Sequence, residues 1–505
     1  MVAFDAADPP AACFHRLQAL SPVTIPLPAG LTAETKTLSG WGRTNPVSAQ
    51  VVQPSSVEQL QELVRGAPPR SLIARGLGRS YGDAAQLKDG TVIELPAFDR
   101  IELDPASGTV TAGAGVSLDQ ILRVIVPAGF FLHVTPGTRN VTVGGAIAAD
   151  VHGKNHHVDG SFGNHVQRLL LVDGTGTLRE LTPSGRGSFD EAEFFWATVG
   201  GMGLTGVIVE ATFSLIPITS SLISVDTTRY RDLESLMAAM VEADAKYRYS
   251  VAWVDSLDPK GRGVLTCGDH APAEVLPPNL QADPLHYDPK ALASAPPFLP
   301  GGLLNKLTVR AFNEAWYRKA PKRRVGELQA IAPFFHPLDG VQDWNRIYGP
   351  AGFLQYQFAV PNQSAHLVPR TLEALRQVGA PSFLTVLKRF GPSNPAPLSF
   401  PIPGWTLAAD VPAAVPGLLE VLDELDKEVA AAGGRLYLAK DSRQAASFFT
   451  KSCGYLDKFM DDLSKLDPCC KYISDLTARI NLKAGKIEAC APPRGSTANQ
   501  VPAQF

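Results

Sequence analysis

The stretch Ile73-Ala74-Arg75-Gly76-Leu77-Gly78-Arg79-Ser80-Tyr81-Gly82-Asp83 narrows the choice of fold more than any other. An apolar, strand-like lead-in enters a turn that carries three glycines, two arginines, a serine and an aspartate. Glycine allows left-handed backbone angles and close approach to a ligand, so successive amide N–H groups can turn inward as an anion-binding nest. A pyrophosphate is the natural guest. Pro136-Gly137-Thr138, followed by Thr142-Val143-Gly144-Gly145-Ala146-Ile147, repeats this chemistry, and Thr198-Val199-Gly200-Gly201-Met202-Gly203-Leu204-Thr205-Gly206 does so again. One such turn is ordinarily only a turn. Three of them, each beside a β-branched run, predict a large dinucleotide threaded between strands.

The third element contains a decoy. Gly201, Gly203 and Gly206 spell the dinucleotide fingerprint of a Rossmann fold, which requires a helix immediately after it. The next residues, Val207 to Ile216, alternate and are rich in β-branched types, so they read as strand. No helix N-terminus is offered to a phosphate, and NAD-type binding is rejected.

At 505 residues the chain exceeds what one hydrophobic core usually serves, so two domains are expected. A net charge of −3 gives no basic footprint for nucleic acid. The six cysteines (Cys13, Cys267, Cys453, Cys469, Cys470, Cys490) have no metal-ligand spacing, and no metal site is expected. The neighbours Cys469 and Cys470 are poorly placed to pair, so free thiols in a reducing compartment are expected. No apolar run approaches the ~20 residues needed to cross a bilayer, and the N-terminus lacks a basic-then-apolar leader. Membrane contact is therefore expected to be peripheral.

Residues 1–35, rich in Ala and Pro, are expected to be an irregular extension. From 36 to 218 short β-type segments recur (Leu72–Ala74, Val92–Leu95, Thr109–Ala112, Leu169–Val172, Val207–Ile216), with a helix over Ser56–Gly66 whose Val57, Leu60, Leu63 and Val64 share one face. Residues 219–432 form a second domain: strands at Val251–Asp255 and Phe353–Val360, and helices at Val368–Val378 and Val415–Ala431 over that sheet. Pro369 sits in the opening turn of the first of these helices, where proline is tolerated. Prolines and small residues between Pro272 and Pro300 predict a long loop. Residues 491–505 are expected to be disordered.

The glycine turns resemble the PCMH-type FAD-binding domain of the vanillyl-alcohol-oxidase superfamily. The resemblance sharpens at His152-Gly153-Lys154-Asn155-His156-His157, Gly160-Ser161-Phe162-Gly163-Asn164-His165, Phe195-Trp196-Ala197-Thr198 and Trp316-Tyr317-Arg318-Lys319. It continues through Tyr348 to Gln357, Pro397 to Trp405 and Gly433 to Arg443. In that order these motifs are similar to the flavoenzyme family that oxidises the 2′-hydroxyl of decaprenylphosphoryl-β-D-ribose, from about Trp41 to about Arg479. The resemblance implies an α+β, two-domain flavoprotein: an FAD-binding domain, plus a substrate domain whose antiparallel sheet is covered by helices. It also implies that residues 433–490 return to the FAD domain.

By that resemblance the cofactor is held by the loop Ala74, Arg75, Gly76, Leu77, Gly78, Arg79, Ser80, Tyr81, Gly82, Asp83 and Ala84. Gly137, Thr138, Thr142, Val143, Gly144, Gly145, Ala149, Asp150, Val151, His152, Ile208 and Tyr437 complete the set. Relatives in the wider superfamily tether the flavin through a histidine in the first glycine loop; here Gly78-Arg79-Ser80 has none, so FAD is expected to be non-covalent. Oxidising a secondary alcohol needs an electron acceptor, a group that takes the hydroxyl proton, and contacts that orient the C–H bond. Lys440 is the first choice for the essential side chain: a cation beside the flavin stabilises negative charge there, and a desolvated lysine can exchange protons. His152, Gln357 and Tyr81 join it as catalytic candidates. Lys154, Tyr317, Gln355, Gln357, Lys388 and Thr406 are candidates for the sugar and phosphate, while Trp253 and Trp405 could serve either core or site.

The chain departs from the familiar pattern after Trp405. Relatives carry Asn, an apolar residue and Cys, the cysteine being the one that captures flavin-reduced nitroaromatic inhibitors; here the run is Thr406-Leu407-Ala408. The expected reaction is oxidation of a polyprenyl-phosphoryl-β-D-ribose to its 2′-keto sugar, the first half of an epimerisation that supplies arabinose for cell-wall arabinan. A separate NAD(P)H-dependent keto-reductase and a membrane surface are the implied partners. The implied location is cytoplasmic or peripheral at the inner membrane, or in the cell envelope. The alternatives are a paralogous oxidase of a soluble sugar, alditol or nucleoside, and a non-catalytic flavin-binding scaffold.

Overall fold

A computed structural model describes residues 25–185 and 189–482. Most of the expected N-terminal extension, Cys13, Cys490 and residues 491–505 lie outside the described residues. The extension expected to be irregular to residue 35 ends sooner, because the strand Ala33–Leu38 pairs antiparallel with Val47–Val52. Those two strands continue into parallel pairing with Thr91–Ile93 and then Leu72–Ala74, giving a four-stranded sheet. The helix Val57–Gly66 begins where Ser56 accepts a bond from the Gln59 N–H, and it buries Leu60, Leu63 and Val64.

A second sheet runs in the order Ile101–Asp104, Thr109–Gly113, Gly206–Pro217, Val166–Asp173, Leu178–Leu181, with Phe130–Leu132 also on Gly206–Pro217. The third glycine element therefore feeds a twelve-residue strand and not a helix. These two sheets share one core, centred on residues such as Val52, Ile121, Val172 and Val207.

The third sheet is antiparallel and eight-stranded: Arg323–Ala330, Leu222–Tyr230, Gly263–His270, Tyr249–Val254, Thr385–Phe390, Gly404–Pro412, Phe353–Pro361 and Arg435–Leu436. The helices Leu233–Asp244, Leu367–Val378 and Leu418–Ala431 bury their apolar stripes on one face of it. The last helix starts at Leu418, three residues later than expected, after Gly417 in the left-handed region. The loop from Pro272 contains one short strand, Ala293–Ser294, paired parallel with Val341–Gln342.

The chain after Gly433 reaches back to the glycine loop. The Tyr81 N–H donates to the Ala439 carbonyl, the Ile473 N–H donates to Leu72, and Arg479 forks onto both carboxylate oxygens of Asp83. Cys469 is in a disulfide, which corrects the expectation of free thiols throughout: its neighbour Cys470 is unfit to pair with it and is free, as are Cys267 and Cys453. Among the described residues no helix is long and apolar enough to cross a membrane.

Candidate active site

Strand alternation builds one wall of the site. In Phe353–Pro361, Gln355 and Gln357 face a cavity while Leu354, Tyr356 and Phe358 enter the core under the helices. In Gly404–Pro412, Thr406, Ala408 and Asp410 share the cavity-side face, and Trp405, Leu407, Ala409 and Val411 are core. In Thr385–Phe390, Val386 and Lys388 face the cavity and Leu387 the core. Register sets Gln355 opposite Asp410, Gln357 opposite Ala408, and Lys388 opposite Thr406. Trp253 lines the cavity and donates its indole N–H to Phe383, whereas Trp405 is core.

The glycine turns form the opposite wall. The cavity has a volume of about 1180 Å³, above the ~300–1,000 Å³ usual for a small-ligand pocket. It runs from Ala74–Tyr81 and Gly137–Thr138, past Gly144, Gly145 and Ile208, to the sheet. The backbone there suits a dinucleotide. Gly78 has φ +64°, and a Cβ on Gly76 would lie 2.3 Å from Thr142 Oγ1, so neither position accepts a side chain. A Cβ on Gly137 would meet nothing within 4 Å, so its bare backbone borders open cavity. Arg79 stacks its guanidinium 3.9 Å from the Trp41 ring centroid, and its buried Nε has no protein partner. These features fit FAD.

Three lysines line the same cavity, each half-buried. Burial, with Lys388 adding repulsion, brings the Lys154 ammonium down to about 7. Lys154 donates to the Phe334 carbonyl and lies over that residue's ring. Burial alone brings Lys388 down to about 8. Lys440 is pulled down by burial and by Lys388, while Asp410 opposes the fall. Burial raises the Asp410 carboxyl, opposed by the bond it accepts from the Gln355 amide and by Lys440. Its second oxygen, Oδ2, is buried without a partner. The three lysines bring more basic groups to this wall than the one carboxylate beside them, Asp410, offsets.

His152 is buried against Phe390, Phe400 and Tyr437. Burial first, then Lys388, His156 and Lys440, hold it well below its ordinary range, so the ring is neutral. The Gln357 amide nitrogen lies 3.2 Å from His152 Nε2 and 3.3 Å from Thr406 Oγ1. As the amide donates both bonds, Nε2 accepts and the ring proton is on Nδ1, which is buried with no partner. A donor is thus left for a ligand. Tyr437 donates its hydroxyl to the Ala149 carbonyl, fixing the same corner.

Several expected contacts lie elsewhere. Tyr317 does not line the cavity: its hydroxyl donates to the Tyr230 carbonyl under the Arg262 guanidinium, while its neighbour Trp316, a helical step of ~100° away, lines the cavity. Thr406 sits beneath Gln357 as an acceptor. Gly82 packs on the Asp441 backbone, and Asp83 pairs with Arg479. Val143 is core in the short helix Val143–Ala148. Asp150 is consumed by bonds from Ser161, Ser399, Asn394 and the Gly163 N–H, so it braces the turn from behind. Asp410 was not anticipated; the signal was the alternation Thr406, Ala408, Asp410 on a strand whose other face is apolar.

Comparison with known proteins agrees with this geometry. Residues 48–182 match the family described as FAD binding domain. Over 456 residues the chain is 44% identical to the decaprenylphosphoryl-β-D-ribose oxidase of Mycolicibacterium smegmatis, covering 89% of this chain and 98% of that protein. It is 38% identical over 379 residues to an uncharacterised protein in the mprA 5′ region of Streptomyces coelicolor, covering 73% of this chain and all of that protein. A shorter match, 27% over 199 residues, is to the D-lactate dehydrogenase of Archaeoglobus fulgidus, covering 39% of this chain and 45% of that protein.

Proposed function

The chain belongs to the family of decaprenylphosphoryl-β-D-ribose oxidases and is an FAD-dependent oxidoreductase; from that premise we propose that it oxidises the 2′-hydroxyl of a polyprenyl-phosphoryl-β-D-ribose to the 2′-keto sugar. FAD, when bound, supplies the acceptor for the two electrons lost by the sugar carbon. It is held without a covalent tether, since the loop from Gly76 to Gly82 has neither histidine nor cysteine.

The observation that carries the substrate is the placing of Lys154 and Lys388 in the cavity that also holds Lys440. A phosphodiester anion meets the first two, because each faces the cavity without a carboxylate partner among the described residues. A neutral sugar would leave both cations uncompensated. The His152 Nδ1–H and the Gln355 and Gln357 amides orient hydroxyls. Lys440 and Asp410, drawn toward each other's range by burial, form the pair that receives the hydroxyl proton. A separate NAD(P)H-dependent reductase then returns the ketone to the inverted alcohol, and the lipid-linked substrate places the work at a membrane surface.

Anaerobic flavin bleaching tests the reading. Prenyl-phosphoryl ribose is expected to bleach the bound flavin rapidly and free ribose hardly at all. Equal rates would favour a soluble-sugar oxidase.

A further inference from the structure

The cavity opens beside the helix Lys306–Lys319. Phe312 and Trp316 line it, yet each keeps more than two-fifths of its surface exposed. Three more apolar side chains stand out from the same region: Leu292, Phe298 and Leu307 are 89, 91 and 77% exposed. The loop that carries Leu292 and Phe298 is joined to the mouth through Leu304, which packs on the cluster of Trp344, Tyr348 and Phe353 together with Phe383. The Phe383 ring in turn meets Phe312 at 5.5 Å. Loop and mouth are therefore one continuous surface.

Its charge is as lopsided as its polarity. Residues 289–324 contain eight Lys or Arg and one acid, Glu314, in a chain whose net charge is −3. Of the cations between Lys306 and Arg324, only Arg318 and Arg324 have carboxylate partners among the described residues. An exposed apolar patch accompanied by the exposed Lys306, Arg310, Lys319, Lys322 and Arg323, unpaired among the described residues, matches an anionic bilayer: leucine and phenylalanine enter the acyl boundary while lysine and arginine reach the headgroups.

We propose that this surface, from Leu292 to Arg324, docks on an anionic phospholipid bilayer and holds the cavity mouth at the interface. A prenyl chain would then stay in the lipid while its phosphoryl sugar enters past Phe312 and Trp316. The purpose of the surface rests on the proposed lipid-linked substrate, but its binding can be measured without any substrate.

Full-length flavoprotein would be sedimented with vesicles of phosphatidylcholine, alone or mixed with phosphatidylglycerol, at low and high salt. The wild type should pellet with the mixed vesicles and be released by salt. Leu292→Ser/Phe298→Ser and Arg310→Glu/Arg323→Glu should each lower binding roughly tenfold or more, with circular dichroism and bound flavin unchanged. On a short-chain, water-soluble prenyl-phosphoryl ribose their turnover should match wild type; on vesicle-borne substrate it should fall. Protein that remains in solution with both vesicles, binds both equally, or binds unaltered in the variants overturns the proposal, and a protein partner would then be the better occupant. Vesicle binding without flavin reduction by either prenyl substrate would leave this surface standing and remove the proposed reaction.

Discussion

The Lys440 ammonium lies 3.5 Å from the centroid of the Tyr81 ring, joining the first glycine loop to a segment near the far end of the chain. The same two stretches are joined through backbone, where the Tyr81 N–H donates to Ala439. A buried cation on an aromatic face is stabilised by the ring quadrupole, most of all where water is excluded. The contact holds Lys440 in the cavity although burial and Lys388 both oppose its charge.

Lys440→Ala should fold and retain flavin but lose most substrate-driven flavin reduction. Removing a group that acts mainly on transition-state charge costs about two to four kcal/mol. Stopped-flow absorbance under anaerobic conditions measures it, and near-wild-type reduction would take Lys440 out of the chemistry.

Asp410→Asn should shift the pH dependence of that reduction in a defined direction. The carboxylate raises the affinity of Lys440 for its proton, so removing it lets the ammonium deprotonate at lower pH. As the proton acceptor Lys440 acts as the neutral amine, so activity is absent below its pKa and gained as pH rises through it. The acid limb should therefore move to lower pH in the variant. A limb that stays in place, or moves up, would separate Asp410 from Lys440.

Gly76→Ala should weaken flavin binding more than it weakens the fold. The new Cβ would crowd Thr142 Oγ1, the oxygen that caps the helix Val143–Ala148 by accepting from the Gly145 N–H. Losing such a cap costs about 1 kcal/mol, and the displaced backbone borders the cofactor. Fluorescence titration of apoprotein with FAD, set beside thermal denaturation of the same apoprotein, separates the two effects.

Acid precipitation should release intact FAD into the supernatant, because the Gly76 to Gly82 loop has neither histidine nor cysteine. Flavin retained in the pellet would point to His152, the one histidine among the described lining residues.

Ala408 lines the cavity between Thr406 and Asp410, at the position where the resemblance described above implies a cysteine that captures reduced nitroaromatic inhibitors. A methyl group is no nucleophile, so wild-type protein should show no mass increase after turnover with such a compound. Ala408→Cys should gain the adduct. An adduct on the unaltered chain would mean that another nucleophile reaches the pocket.

Much of this architecture could be read from local pattern. The apolar stripe of Val57, Leu60, Leu63 and Val64 foretold the helix that the structure places at Val57–Gly66, and the alternation after Gly206 excluded a Rossmann helix. Local pattern was silent wherever a side chain's partner comes from a distant segment. Asp83 and Asp150 sit in glycine-rich turns that suggest ligand contact, but Arg479 and a serine–asparagine ring claim them. Tyr317 and Trp316 are adjacent in a motif, yet helix geometry sends one to Tyr230 and the other to the cavity. Asp410 is one aspartate in an apolar strand until register sets it opposite Gln355.

The bond between Tyr81 and Ala439 also sets a timetable for manufacture. The two residues lie roughly 360 positions apart. At ~5–20 residues per second, roughly 20–70 seconds of synthesis separate the emergence of the glycine loop from that of Lys440. Throughout that interval the nascent chain has its glycine turns but neither the lysine nor the strand edge that completes the cavity. An unfinished or prematurely terminated chain therefore lacks a closed cavity, and the last wall arrives in a single late step.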